Sequence, residues 1–352
     1  MKKNKPTIIF IALLTAFTTY ISLDTFVISS VYQAEATDMN TEMFENVEKD
    51  SSSSDDNSST ESDTDTEESD HHHPGGHKGS GHGDGSKSSH DGGKTSSSSD
   101  TGTTELTVSD DVTTVGEYSD NEVGITVKEY TVNNTKVYVA DVTAESAESI
   151  KTAFADDTYG KNVTDTTSSI ASSHDAVLAI NGDYYGAQES GYVIRNGIVY
   201  RSESDGEDIL CIYADGSMKV VDPSTATADE LVAQGVWQAF SFGPGLVEDG
   251  AISVSEDDEV GKAMASNPRT AIGITSDGHY LFVVSDGRTD ESEGLSLYEL
   301  ADFMQSLGAE TAYNLDGGGS STMYFNGEVI NNPTTTGNSS KERSVSDIVY
   351  IK

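Results

Sequence analysis

Between residues 37 and 104 this chain carries almost no side chain worth burying, and that fixes where a core can lie. Ser51-Ser-Ser-Ser-Asp-Asp56 and Glu61-Ser-Asp-Thr-Asp-Thr-Glu-Glu68 typify the stretch. Such sequence buries too little apolar surface to offset the entropy of ordering it, and its like charges repel. The expectation is a disordered acidic Ser/Asp/Gly/His-rich linker over 37–104. It separates an N-terminal segment, 1–36, from one folded domain, 105–352. His71, His72, His73, His77, His82 and His90 fall in the linker. A His-rich tract can bind Zn or Ni loosely, but no spacing here presents a closed ligand set, so they read as linker residues.

The N-terminal segment opens with Lys2-Lys-Asn-Lys5, followed by an apolar run from Thr7 to about Leu23, then Asp24 and Thr25-Phe-Val-Ile28. A basic flank before an apolar run marks export. The run approaches the ~20 residues that span a bilayer, so a single-pass anchor with the domain outside the cell is expected. The alternative is secretion after cleavage at the small-x-small site Ala34-Glu-Ala36.

A formal net charge of −40 offers no cationic footprint for phosphate backbones and so excludes nucleic acid as partner. Cys211 is the sole cysteine, which rules out an intrachain disulfide. It sits in the apolar run Ile209-Leu-Cys-Ile-Tyr213 and reads as a buried, inert thiol.

From Glu105 onward apolar runs return. Gly124–Val132 and Thr135–Val142 alternate, and Asn133-Asn134 between them suits a tight hairpin turn. Thr164–Ser173 reads as a helix leading into the buried strand Ala176–Ile180. Tyr192–Tyr200, Ile209–Tyr213, Ser217–Val221, Thr270–Thr275, Tyr280–Ser285 and Val345–Ile351 read as strands. Ser296–Leu307 has a helical apolar period that Gly308 ends. Strands predominate with a few helices between them, which predicts an α+β domain around a mixed β-sheet.

Polar and glycine-rich residues cluster where these strands end: Asn181-Gly-Asp-Tyr-Tyr-Gly186, Phe242-Gly-Pro-Gly-Leu246, Asn267-Pro-Arg-Thr270, Asp286-Gly-Arg288, Asn314-Leu-Asp-Gly-Gly-Gly-Ser-Ser321 and Glu342-Arg343. Three consecutive glycines leave nothing to pack, and suit a sharp turn or a close approach to a ligand. Their amides are placed to cradle an anion, and Ser320 and Ser321 add donors. Each motif also has a plain reading: Asp-Gly is a common turn pair, and Asp316 could serve only to turn the glycine loop.

Taken in order, these motifs resemble the phosphodiester glycosidase family over roughly residues 120–352. The first motif departs from the family's Asn-Gly-Gly-Phe-Phe, with Asp183, Tyr184 and Tyr185 in the last three places. The resemblance implies hydrolysis of a sugar-1-phosphodiester of the GlcNAc-1-phosphate type, in a surface glycan or cell-wall polymer. It implies Asp316, Asp286 and Glu342 as catalytic candidates. Asn181, Asp183, Arg269, Arg288, Asn314, Gly317, Gly318, Gly319, Ser320, Ser321 and Arg343 are candidates for substrate and phosphate binding. Arginine suits that role through paired charge-assisted hydrogen bonds, and a carboxylate suits the positive charge that develops at the anomeric carbon.

No cofactor is demanded. A Ca²⁺ or Mg²⁺ ion held by Asp, Asn and carbonyl oxygens is compatible, but no spacing requires one. His174 and His279 lie in no motif, which weighs against a serine hydrolase or a zinc enzyme. The rival reading is a non-catalytic carbohydrate-binding or exopolysaccharide-assembly module, with Tyr184, Tyr185, Tyr192 and Trp237 as aromatic platforms.

Overall fold

The structure, a computed structural model, describes residues 5–33, 36, 38–45, 106–255, 266–337 and 339–352. The histidine tract and most of the acidic stretch lie outside the described residues.

The strands form three main sheets, and every pair among them is antiparallel, where a mixed sheet was expected. The largest has eight strands, in the order Ala251–Ile252, Gly245–Glu248, Ala309–Leu315, Arg269–Thr275, Tyr280–Ser285, Thr135–Ala144, Val123–Val132 and Thr113–Ser119. A second, five-stranded, runs Glu328–Val329, Met323–Phe325, Leu178–Asn181, Asp347–Ile351 and Lys151–Phe154. The third, also five-stranded, runs Met218–Val221, Ile209–Tyr213, Val236–Phe240, Val193–Arg195 and Ile198–Arg201.

Strand alternation divides each sheet's side chains between two environments. One face of each points into a shared core that holds Ile125, Phe282 and Leu315 from the first sheet, Ile180 and Val349 from the second, and Leu210 and Phe240 from the third. The opposite faces are each covered by a helix. Numbering helices along the chain, α1 is Lys5–Phe26, α2 Thr167–Ser173, α3 Ala228–Ala233 and α4 Leu297–Ser306. Leu300 and Met304 of α4 cover the first sheet. Ile170 and Ala171 of α2 cover the second, and Leu231 of α3 the third. This is the α+β domain expected. Cys211 is buried, and burial pushes its thiol up to about 12.

The hairpin forms where Asn133-Asn134 predicts it, with φ of 44° and 58° at the turn. The single strand expected over Tyr192–Tyr200 is instead a hairpin. Asn196 and Gly197 turn the chain at φ of 51° and 76°, and Asn-Gly is a two-residue hairpin signal.

Described residues from Ile28 to Phe44 contact the domain, where a leader and a spacer are expected. Strand Ser30–Gln33 pairs with Tyr159–Lys161. Ala36 N–H donates to Asp157 O at 2.7 Å, Asn40 N–H to Asn196 O at 2.9 Å, and the Phe44 ring meets Trp237 edge-on. Met43 is buried there too. The described residues before 46 and those from Leu106 onward belong to one compact unit. Among the described residues no helix is long and apolar enough to cross a membrane, so the expected single-pass anchor has no support there. The α1 sequence interrupts its apolar residues with Thr and Tyr.

Candidate active site

Strand ends from the first two sheets meet at Gly182. Its N–H donates to Asp347 O at 3.0 Å and its carbonyl accepts from Asp316 N–H at 3.2 Å. A Cβ on Gly182 would collide with the buried Asp347 carboxylate, which is why a glycine stands there. Asn181, fully buried, completes the splice. Its Nδ2 donates to Asp316 O at 2.6 Å, and its Oδ1 accepts from Thr270 Oγ1 and Thr322 N. It shapes the site from beneath, its amide spent on backbone and Thr270.

Asp316 leaves strand Ala309–Leu315 and enters the glycine turn. Its carboxylate is nearly buried and pairs with Arg343 Nη2 at 3.0 Å. Burial raises its pKa, while Arg343 and Ser320 pull the other way. Arg343 also donates through Nε to Ser320 Oγ at 2.9 Å, and its N–H donates to Gly319 O. Across the turn, Arg288 Nη2 lies 2.8 Å from where a Cβ of Gly318 would sit. Arg288 reaches neutral oxygens: Asn267 Oδ1 through Nε and Nη2, and Thr335 O through Nη1. Burial, then repulsion from Arg343, lowers its pKa. Two guanidiniums therefore flank Gly317-Gly318, one of them paired with no carboxylate among the described residues. That is a receptive geometry for an anion.

Arg269 lies behind the turn, mostly buried. Its N–H donates to Ser285 Oγ and its Nε to Leu295 O at 2.8 Å. Its Cδ lies 3.9 Å from the position a Cβ on Gly317 would take. Ser321 is buried, and its Oγ has no hydrogen-bond partner.

Four candidates are engaged elsewhere. Both Glu342 oxygens accept from Ser168, Oε2 from its N–H and Oε1 from its hydroxyl, so Glu342 holds the first turn of α2. Asp286 Oδ1 accepts from Asn332 N–H at 2.7 Å and from Asn331 Nδ2; burial raises its pKa against those hydrogen bonds. Asn331 also donates to Ser321 O, so Asp286 supports the turn from one residue away. Asn314 Nδ2 donates to Gly243 O at 2.8 Å, fastening the turn that carries the cis Gly243–Pro244 bond, while its Oδ1 is buried without a partner.

Asp183 is fully buried. It pairs with Arg195 Nη2 at 2.9 Å and accepts from Ser241 and Tyr185 amides. Arg195 binds Asp347 as well, at 2.8 Å, and its guanidinium lies over the Phe240 ring. Burial works against the Arg195 charge, but the two carboxylates outweigh it and its pKa rises. Asp347 is pushed up to about 7 by burial, against the pull of Arg195. Neither Arg195 nor Asp347 was among the sequence candidates. The available signal was an arginine inside the apolar strand Val193–Arg195, since a buried charge needs a partner. Among the described residues no group of three or more His, Cys, Asp or Glu is placed to hold a metal.

The chain is thus an antiparallel α+β domain that sets two arginines and a nearly buried carboxylate at a triglycine turn. The phosphodiester glycosidase family model matches residues 174–352, and the chain belongs to that family. It is 31% identical over 180 residues to the SPbeta prophage-derived uncharacterized protein YomE of Bacillus subtilis, covering 49% of this chain and 28% of that protein. It is 32% identical over 120 residues to mouse N-acetylglucosamine-1-phosphodiester alpha-N-acetylglucosaminidase, covering 33% of this chain and 23% of the enzyme. The chain thus spans about a quarter of the length of these relatives. The zebrafish N-acetylglucosamine-1-phosphodiester alpha-N-acetylglucosaminidase catalytic domain, solved auto-inhibited by its pro-peptide, superposes with a TM-score of 0.54 at 20% identity, over 68% of this chain and 87% of that one. A hypothetical protein from Synechocystis gives 0.52 at 14% identity, over 66% of this chain and 62% of that one. Both likenesses are of fold.

Proposed function

We propose that the chain hydrolyses the bond between a sugar's anomeric carbon and a phosphodiester, in a GlcNAc-1-phosphate-type linkage of a glycan outside the cell. The observation that carries this is Asp316, nearly buried beside Arg343, with Arg288 across the same glycine turn. The two arginines hold the diester anion. Because a phosphate monoester is a stable leaving group, protonating it matters less than supporting charge at the anomeric carbon. Asp316 is the carboxylate that supports it, in surroundings dry enough to strengthen the interaction. The C1–O bond breaks with its electrons leaving on the phosphate, water supplies hydroxyl to C1, and the water proton is released. Export rests on the basic flank Lys2–Lys5 and the apolar run behind it.

The test is release of reducing sugar from GlcNAc-1-phospho-linked diesters and teichoic-acid-like polymers by the full chain. Asp316→Asn is expected to lower kcat by about a hundredfold or more while substrate still binds. Unchanged turnover in that variant removes Asp316 from the chemistry. Binding with no turnover by the native chain across the panel favours a glycan-binding module.

A further inference from the structure

From Leu106 onward, Tyr184 is the only exposed aromatic ring among the described residues, at 39% exposure. Its backbone is left-handed, with φ of 66°, a conformation bulky side chains avoid. Both neighbours hold it there. Before it, Asp183 is fixed by Arg195 and by Ser241 N–H at 3.0 Å. After it, the Tyr185 ring is 1% exposed, stacked on Tyr159 at 5.2 Å between centroids and edge-on to Phe154. The result is a tyrosine turned out to solvent at a backbone cost that burial of its own ring does not offset. Strain that persists because the surroundings impose it points to use.

The ring's position supplies the use. Arg343 Cζ lies 5.8 Å from its centroid, and the same guanidinium grips Asp316 at 3.0 Å. Tyrosine, arginine and carboxylate therefore follow one another at the glycine turn. We propose that Tyr184 is a specificity-determining residue, the platform for the C–H face of the pyranose whose anomeric phosphate lies between Arg343 and Arg288. The assignment rests on the phosphodiester reading above and deepens it. It also gives the Asp183 departure a consequence: that carboxylate, tied to Arg195, holds the loop so that the aromatic after it faces outward instead of packing.

Tyr184→Ala, Tyr184→Gly and Tyr184→Phe in the full chain test the assignment. With a GlcNAc-1-phosphodiester, Ala and Gly are expected to raise KM by about tenfold with kcat within about twofold, and Phe to restore KM. Inhibition by dimethyl phosphate, which has no sugar, is expected to stay unchanged in all three. The Gly variant is expected to melt no lower than the parent, because glycine accepts this φ. The assignment is overturned if KM is unmoved in the Ala variant. Equal weakening of dimethyl phosphate also overturns it, since the ring then only props Arg343. So does a marked fall in melting temperature of the Gly variant. If the parent chain hydrolyses nothing, the phosphodiester reading fails separately. Calorimetry with GlcNAc 1-phosphate then decides: weaker binding in Tyr184→Ala keeps the platform, and equal binding removes it.

Discussion

Gly318 turns the chain with φ of 62°, and an added Cβ would press on Arg288 Nη2 at 2.8 Å. Gly318→Ala therefore carries two penalties, roughly 1 kcal/mol of backbone cost and displacement of the guanidinium. Gly308 is the control, because its φ of 87° brings the first penalty while a Cβ there meets open space. Both variants are expected to melt about 2–4 °C lower. Only Gly318→Ala should raise the inhibition constant for inorganic phosphate, by about tenfold. Equal phosphate inhibition in both variants would deny the turn its role as a cradle. At this scale the sequence was partly legible. Asp316, Arg288, Arg343 and the glycines do come together at one turn. Asp183 and Glu342 were read as facing substrate, yet one is consumed by Arg195 and the other by Ser168. A carboxylate's partner contributed from distant sequence leaves no local trace, so motif residues that bind substrate and motif residues that hold the motif look alike.

Helix α4 begins with a reciprocal cap. Ser296 Oγ accepts from Glu299 N–H and the Glu299 carboxylate accepts from Ser296 N–H. Ser296→Ala is expected to cost about 1 kcal/mol, seen as a lower urea midpoint with KM untouched. A shift in KM would mean that α4 reports to the site through strand Ala309–Leu315. Helix α4 and the Asn133-Asn134 hairpin were legible because period and turn chemistry are local. Strand Ala309–Leu315, central to the largest sheet, was not. Thr311 and Asn314 break its apolar pattern, and each answers to another element: Thr311 Oγ1 donates to Met218 O and Asn314 Nδ2 to Gly243 O. Polar residues that satisfy neighbouring backbone disguise a buried strand as a loop.

Across the whole molecule, two buried carboxylates share one buried guanidinium where all three sheets or their connections meet. Asp347, with a folded pKa of about 7, lies above the ~3.9 of an unfolded aspartate. Between those values the folded chain holds the extra proton, so this group's contribution to stability falls as pH rises from about 4 to about 7 and then levels off. Asp347→Asn deletes that dependence. The melting temperature of the variant minus that of the parent should climb across the window and flatten above it. A difference that ignores pH would mean Asp347 carries no such proton. The N-terminal strand has a different consequence. Ser30–Gln33 lies along Tyr159–Lys161, Asn40 is bonded to Asn196, and Leu106 re-enters the same body. The chain on both sides of residues 46–105 therefore belongs to the same compact unit. A single protease cut there should give two bands under denaturing conditions but one species on native sizing, and fragments that part without denaturant would contradict it. Helix α1 ends at Phe26 and Ser30 is already paired with Lys161, so whatever that helix meets is met at close quarters by the domain face beside it, however long the acidic stretch becomes.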